Sequence, residues 1–127
     1  MSQDTDSRFV PALGRFAIAV AAMLTAATGA AAQTAAAPFM HTIPPGKIAE
    51  ECFKLPAGQT IGYAFEATAP VDFNLHFHRG NDVEYPVQSD QVRQVDDRFT
   101  APSTEEFCLM WTNRALQRVT VKGDLRQ

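Results

Sequence analysis

In "VDFNLHFH", Val71 to His78, apolar and polar residues alternate without a break. Strand side chains repeat every two residues, so Val71, Phe73, Leu75 and Phe77 share one face. Asp72, Asn74, His76 and His78 share the other. The first face is core and the second is polar, which is the pattern of a half-buried strand. Six further runs follow the same grammar, each closed by turn chemistry. "KIAEECFKL" ends at "PAGQ", "TIGYAFEA" at "TAP", "VEYPV" at "QSD", "QVRQVDDRF" at "TAPS" and "EEFCLMWTN" at "RA". "LQRVTVKGDL" completes the set, and "RGND" follows the histidine run as a hairpin turn.

Short runs at roughly 8–12-residue spacing, rich in Val, Ile, Phe, Tyr and Thr, predict an all-β fold. We expect an antiparallel β-sandwich of about seven to eight short strands; no stretch keeps a helical period for long enough to support a βαβ unit. Within "EEFCLMWTN", Phe107, Leu109 and Trp111 alternate with Glu106, Cys108, Met110 and Thr112. Both sides of that run are largely apolar, which places it centrally in its sheet. Pro86, lacking a backbone N–H, marks "VEYPV" as an edge strand or a bulge.

The front of the chain follows a different pattern. Arg8 and Arg15 precede the apolar run "FAIAVAAML", and small residues follow up to "AAAQ". A basic flank, a short apolar segment and a small-residue cleavage site describe a secretory signal peptide, here residues 1–32. The apolar core is only about half of the ~20 residues that span a bilayer, which disfavours the alternative of a retained anchor. Residues 33–46, with Pro44-Pro45-Gly46, are expected to be a flexible arm, and residues 47–127 the sandwich domain. No later segment approaches spanning length. The expected location is periplasmic or secreted.

Charge narrows the partners. Eleven Lys and Arg against 14 Asp and Glu give a net charge of −3, and loss of the leader leaves it unchanged. A mildly acidic chain without a basic cluster argues against nucleic acid. Both cysteines, Cys52 and Cys108, lie in the exported part. In an oxidising compartment two thiols most often form one disulfide. The alternative is a redox pair or soft-metal thiolates, which the absence of CxxC spacing disfavours.

The order of several pieces resembles a known family. "ECFKLPAGQTIGYAFEATAPVDFNLHF" and "APSTEEFCLMWTN" are similar to the GOLD (Golgi-dynamics) domain, the lumenal β-sandwich of early-secretory-pathway cargo receptors in eukaryotes. The shared features are a Cys-Phe near the first strand, a Gly-containing turn, an alternating "VDFNL" strand, and a late aromatic-Cys-aromatic run before Asn. The resemblance spans about residues 47–123. It implies a sandwich used for protein contact, with a Cys52–Cys108 bridge across it. Those receptors continue into a helical segment, a membrane span and a sorting tail, so trafficking is not carried over. Fold alone does not fix function.

Candidate chemistry centres on the histidines. His76 and His78 project to one side about 7 Å apart along a strand, given a rise of ~3.3 Å per residue. Such a pair can chelate copper or zinc if further donors join it. His41 with Met40 in the arm, Asp72 or Asn74 on the same face, and Asp82 or Glu84 across the turn are the candidates. The plain alternative is a solvated strand face. Asp72, Asn74, Arg79 and Trp111 form a second candidate set, a binding surface. No GxSxG, Walker-type loop or HExxH occurs. Glu50-Glu51 and Glu105-Glu106 are adjacent, so each pair points to opposite faces and cannot act as paired carboxylates within one strand. The expected function is therefore a non-enzymatic binding module with a protein or envelope partner and no resident cofactor. A metal-binding protein built on His76 and His78 is the alternative.

Overall fold

A computed structural model describes residues Ala36–Gln127, and the expected leader lies outside the described residues. Six strands follow in chain order: β1 (Ala36–Ile43), β2 (Ile48–Leu55), β3 (Thr60–Arg79), β4 (Asp82–Thr100), β5 (Glu105–Thr112) and β6 (Val119–Arg126). All pair antiparallel. The path runs β1-β6-β3-β5-β2, with β4 on the other side of β3. Among the described residues no helix is long and apolar enough to cross a membrane.

Strand β3 explains how one path makes two layers. Its first part, Gly62–Ala67, pairs with β6, and its second part, Asp72–Phe77, pairs with β5. Strand β4 follows it along the opposite edge, with a register shift between Glu66 and Val71. Pro70 falls in that gap, where no ladder donor is needed. One layer is thus β1-β6-β3-β4 and the other β2-β5-β3-β4, with the long hairpin running through both.

Along most of β3 the odd-numbered residues point inward. Ile61, Tyr63, Phe65, Val71, Phe73, Leu75 and Phe77 are all buried. Aromatic rings from the two layers interlock: Phe65 lies 4.9 Å from Phe73 and 5.5 Å from Trp111, and Phe39 lies 5.2 Å from Trp111. Such offset and edge-on pairs add to the burial of their area. The β-sandwich expected from the alternation is therefore present.

The ends of the path meet again. Strands β1 and β2 approach across the open side, where His41 Nε2 lies 3.0 Å from Glu51 Oε2. Buried Asn113 closes the same end: its amide donates to the carbonyls of Ile43 (2.9 Å) and Gln117 (2.8 Å) and accepts from Ala115 N–H (2.8 Å). A buried amide with every group paired holds two loops in one arrangement.

Three expectations need correction. The segment expected to be an arm supplies β1, because β6 offers it a full partner from Ala36↔Arg126 to Ile43↔Val119. The runs "TIGYAFEA" and "VDFNLHFH" are one strand, as are "VEYPV" and "QVRQVDDRF". "TAP" and "QSD" are irregularities inside long strands, since β3 changes partners without changing direction. The bridge also does not cross the sandwich. Cys52 and Cys108 are directly opposed on the neighbouring strands β2 and β5, with Cα atoms 4.1 Å apart and both side chains on the outer face. Two expectations hold as stated: β5 lies between β2 and β3, and Pro86 lies on an edge strand at a bulge.

Candidate functional site

The outer face of the β2-β5-β3-β4 layer carries the unusual polar chemistry. Register aligns Cys52 with Cys108, and Cys108 with His76. On β4 the ladder steps from Leu75↔Val87 to Phe77↔Glu84, so Tyr85 and Pro86 together face His76. A transverse row of disulfide, imidazole and phenol results. The next row, along the strands, holds Glu50, Met110, Asn74 and Gln88.

His76 is 4% exposed, although it lies on the face predicted to be polar. The ring of His78 packs edge-on to it at 5.4 Å and that of Tyr85 lies tilted at 5.7 Å. Its Nδ1 is 2.9 Å from Asn74 Oδ1, which can only accept, so Nδ1 carries the proton of the neutral ring. Its Nε2 lies 3.6 Å from Glu50 Oε1. Burial pushes the His76 pKa below the ordinary histidine value; the Glu50 carboxylate opposes that shift and His78 adds to it. At neutral pH the ring is uncharged, with a bare nitrogen facing a carboxylate.

Around this centre the surface is mixed. Tyr85 is 45% exposed and Val83 37%, both beside the β3–β4 turn. Arg79 pairs with Glu84 at 3.0 Å, and its guanidinium lies 5.4 Å from the centre of the Phe77 ring. Asp72 plays a structural part. It accepts from Gln91 N–H (3.1 Å) and Nε2 (2.8 Å), and from Arg114. Gln91 has φ of 53°, in the left-handed region, and the Asp72 bonds hold that bulge in place. The Arg114 hydrogen bond, then those from Gln91, draw the Asp72 carboxyl below its usual pKa.

The residues singled out as a metal set do not converge. His76 and His78 are neighbours, but His41 lies at the far seam, its ring tilted 5.7 Å from that of Trp111 and bonded to Glu51. Met40 is 71% exposed on β1. Trp111, proposed for a binding surface, is fully buried, because its alternation places it on the inner face among Phe39, Phe65 and Phe73. Among the described residues, the one group of three candidate donors within 4.8 Å of one another is Glu50, Cys52 and Cys108. Sequence reasoning missed Glu50, whose approach to His76 depends on two inter-strand registers that no local pattern encodes. The expected divergence of Glu50 and Glu51 is present: one faces His76, the other His41.

The opposite outer face, on the β1-β6-β3-β4 layer, holds a groove of about 490 Å³ bordered by Ala64, Glu66, Asp96, Lys122 and Asp124. Its walls are of both signs, joined by Arg126, which lies 2.7 Å from Asp96 and 3.0 Å from Asp124.

This architecture belongs to the small disulfide-linked β-sandwiches. No family model matches the chain, and no curated protein does. Solved structures share the fold at low identity. A periplasmic inhibitor of g-type lysozyme, PliG of Aeromonas hydrophila, superposes with a TM-score of 0.58 at 16% identity, over 73% of this chain and 86% of that one. The pre-peptidase C-terminal domain of a Bacillus anthracis collagenase gives 0.56 at 11%, over 70% and 87%. The mitogen of Yersinia pseudotuberculosis gives 0.53 at 14%, over 73% and 86%.

Proposed function

We propose that this chain is a small exported binding module, without catalytic activity of its own, that docks a protein partner of the cell envelope. The docking surface in this reading is the outer face of the β2-β5-β3-β4 layer. The observation that carries it is the pairing of exposed Tyr85 and Val83 with a rigid, hydrogen-bonded polar centre at His76 and Asn74. Aromatic anchors held on stiff strands lose little conformational entropy on binding, which is what interface hot spots require. The likeness to a lysozyme inhibitor supports a protein partner, as does the resemblance to GOLD domains.

Cross-linking in the envelope fraction tests the surface. Full-length Tyr85→Ala should lose the wild-type adduct, whereas Leu116→Ser, a change at a fully exposed residue away from the hairpin, should keep it. Equal yields from both variants reject this face. Inhibition of a g-type lysozyme is the most direct single activity to assay.

Metal binding at His76 and His78 is the second reading, favoured by the Asn74 bond that leaves Nε2 free. Copper titration of the oxidised protein against the double variant H76A/H78A tests it. Identical weak affinities reject it.

A further inference from the structure

We propose that, when the Cys52–Cys108 bridge is open, this chain holds a zinc ion on the two thiolates, His76 Nε2 and the Glu50 carboxylate. The proposal goes beyond the His76–His78 reading: it concerns a different redox state, and His78 takes no part.

Geometry is the first support. The carboxylate of Glu50 and the sulfurs of Cys52 and Cys108 already lie within 4.8 Å of one another. His76 Nε2 is 3.6 Å from Glu50 Oε1. Donors of a tetrahedral zinc site, at bond lengths of about 2.0–2.3 Å, are separated by roughly 3.3–3.8 Å. His76 stands outside that group of three and reaches it through Glu50, so in the proposed site the opened sulfurs part from bonding distance and the side chains rotate to bring the four groups around one ion. All four stand on paired strands, β2, β5 and β3, where the register keeps them in adjacent rows. Sites built on such elements are positioned more firmly than those on loops.

Orientation of the imidazole is the second support. A metal-binding histidine commonly donates its remote N–H to a fixed acceptor, which selects the tautomer and aims the free nitrogen. Asn74 Oδ1 does this for His76 at 2.9 Å. The consequence is a buried imidazole Nε2 facing the solvent-reached Glu50 carboxylate, two acceptors that a cation between them would satisfy together. Thiolates beside them complete a set of two sulfurs, one nitrogen and one oxygen, the kind of mixed soft and borderline donors that zinc accepts.

The chemistry balances through thiol–disulfide exchange. Two thiols of a low-molecular-weight or protein dithiol reductant supply two electrons, become a disulfide, and leave Cys52 and Cys108 as thiols. Zinc then displaces both thiol protons to solvent. A disulfide oxidant reverses the sequence: it takes two electrons, closes the bridge and expels the ion. Bridge and metal are thus mutually exclusive occupants of one place.

The experiment uses the full chain, reduced anaerobically with a thiol-free phosphine, and zinc competed against a chromophoric chelator. One equivalent should bind to the reduced chain and none with comparable affinity to the oxidised one. Cobalt in place of zinc should give thiolate charge-transfer and tetrahedral ligand-field bands. His76→Gln and Glu50→Gln should each weaken binding at least about tenfold, with His78→Gln unchanged. Near-UV circular dichroism from buried Trp111 should show that the loaded, reduced chain is folded. Equal zinc affinity in wild type and His76→Gln, equal affinity in both redox states, or an unfolded loaded chain would each overturn the proposal. Copper binding by the oxidised protein that depends on His78, together with no zinc uptake by the reduced chain, would leave the second reading standing while this one fails.

Discussion

The two outer faces of the sandwich are secured in opposite ways. On the β2-β5-β3-β4 layer the fastening lies outside: a disulfide, a buried histidine hydrogen-bonded to Asn74, and Asp72 holding the β4 bulge. On the β1-β6-β3-β4 layer the outside is a groove bordered by exposed ion pairs, and the fastening lies inside. There β6 carries Gly123 at an inward position opposite Phe65, and the Phe39 ring fills the space a side chain would take. A Cβ at Gly123 would come within 2.0 Å of the Ala64 carbonyl oxygen and 2.7 Å of Phe39 Cζ. The lesson is that exposed charge decorates one face, while covalent and buried polar contacts define the other. The proposed docking surface lies on the second, since recognition needs groups whose positions are held.

Breaking the bridge should have the largest effect. Cys52→Ser with Cys108→Ser removes a cross-link between residues 56 apart in sequence, worth about 4 kcal/mol in the chain-entropy model, read from urea unfolding. Next comes the inner fastening of the other layer. Gly123→Val forces backbone to move and should cost about 3 kcal/mol, seen as a lower melting temperature, whereas a groove substitution nearby should not.

The pH dependence sharpens the contrast further. His76 has a folded pKa below its unfolded value, so the unfolded chain binds more protons as pH falls through about 6.5. Stability is therefore complete above that pH and declines below it. Chemical denaturation at pH 7.5 and pH 5 should show the drop in wild type and a smaller one in His76→Gln. Asp72 adds a second loss at lower pH, because its carboxyl is also drawn below the unfolded value. Buried Tyr63 acts at the other extreme: burial, aided by the charge of Asp97, raises its pKa to about 12, so stability falls as pH rises past the ordinary tyrosine range. Smallest of all is Arg126→Ala on the groove wall. Its exposed ion pairs with Asp96 and Asp124 are screened by water and salt, and melting should stay within replicate scatter.

Much of the sandwich was legible because period-two alternation is local. Val71, Phe73, Leu75 and Phe77 are each no more than 2% exposed, as their spacing requires. Pro86 announced an edge because a missing donor has the same consequence in any β-fold. β1 was not legible: "AAPFMHTI" carries weak strand propensity and becomes a strand because β6 pairs with all of it. The candidate site divides along the same line. That His76 and His78 share a face follows from alternation, but that His76 is buried depends on Tyr85 arriving from across a bulge.

What the chain determined by itself is which residues face inward along each run, since that depends on neighbours two positions away. Tertiary pairing alone decided which rows meet. It set Cys52, Cys108, His76 and Glu50 side by side and sent His41 to the far seam. The physical reason is that register between strands distant in sequence is chosen by the whole packed core, and no short segment carries that information.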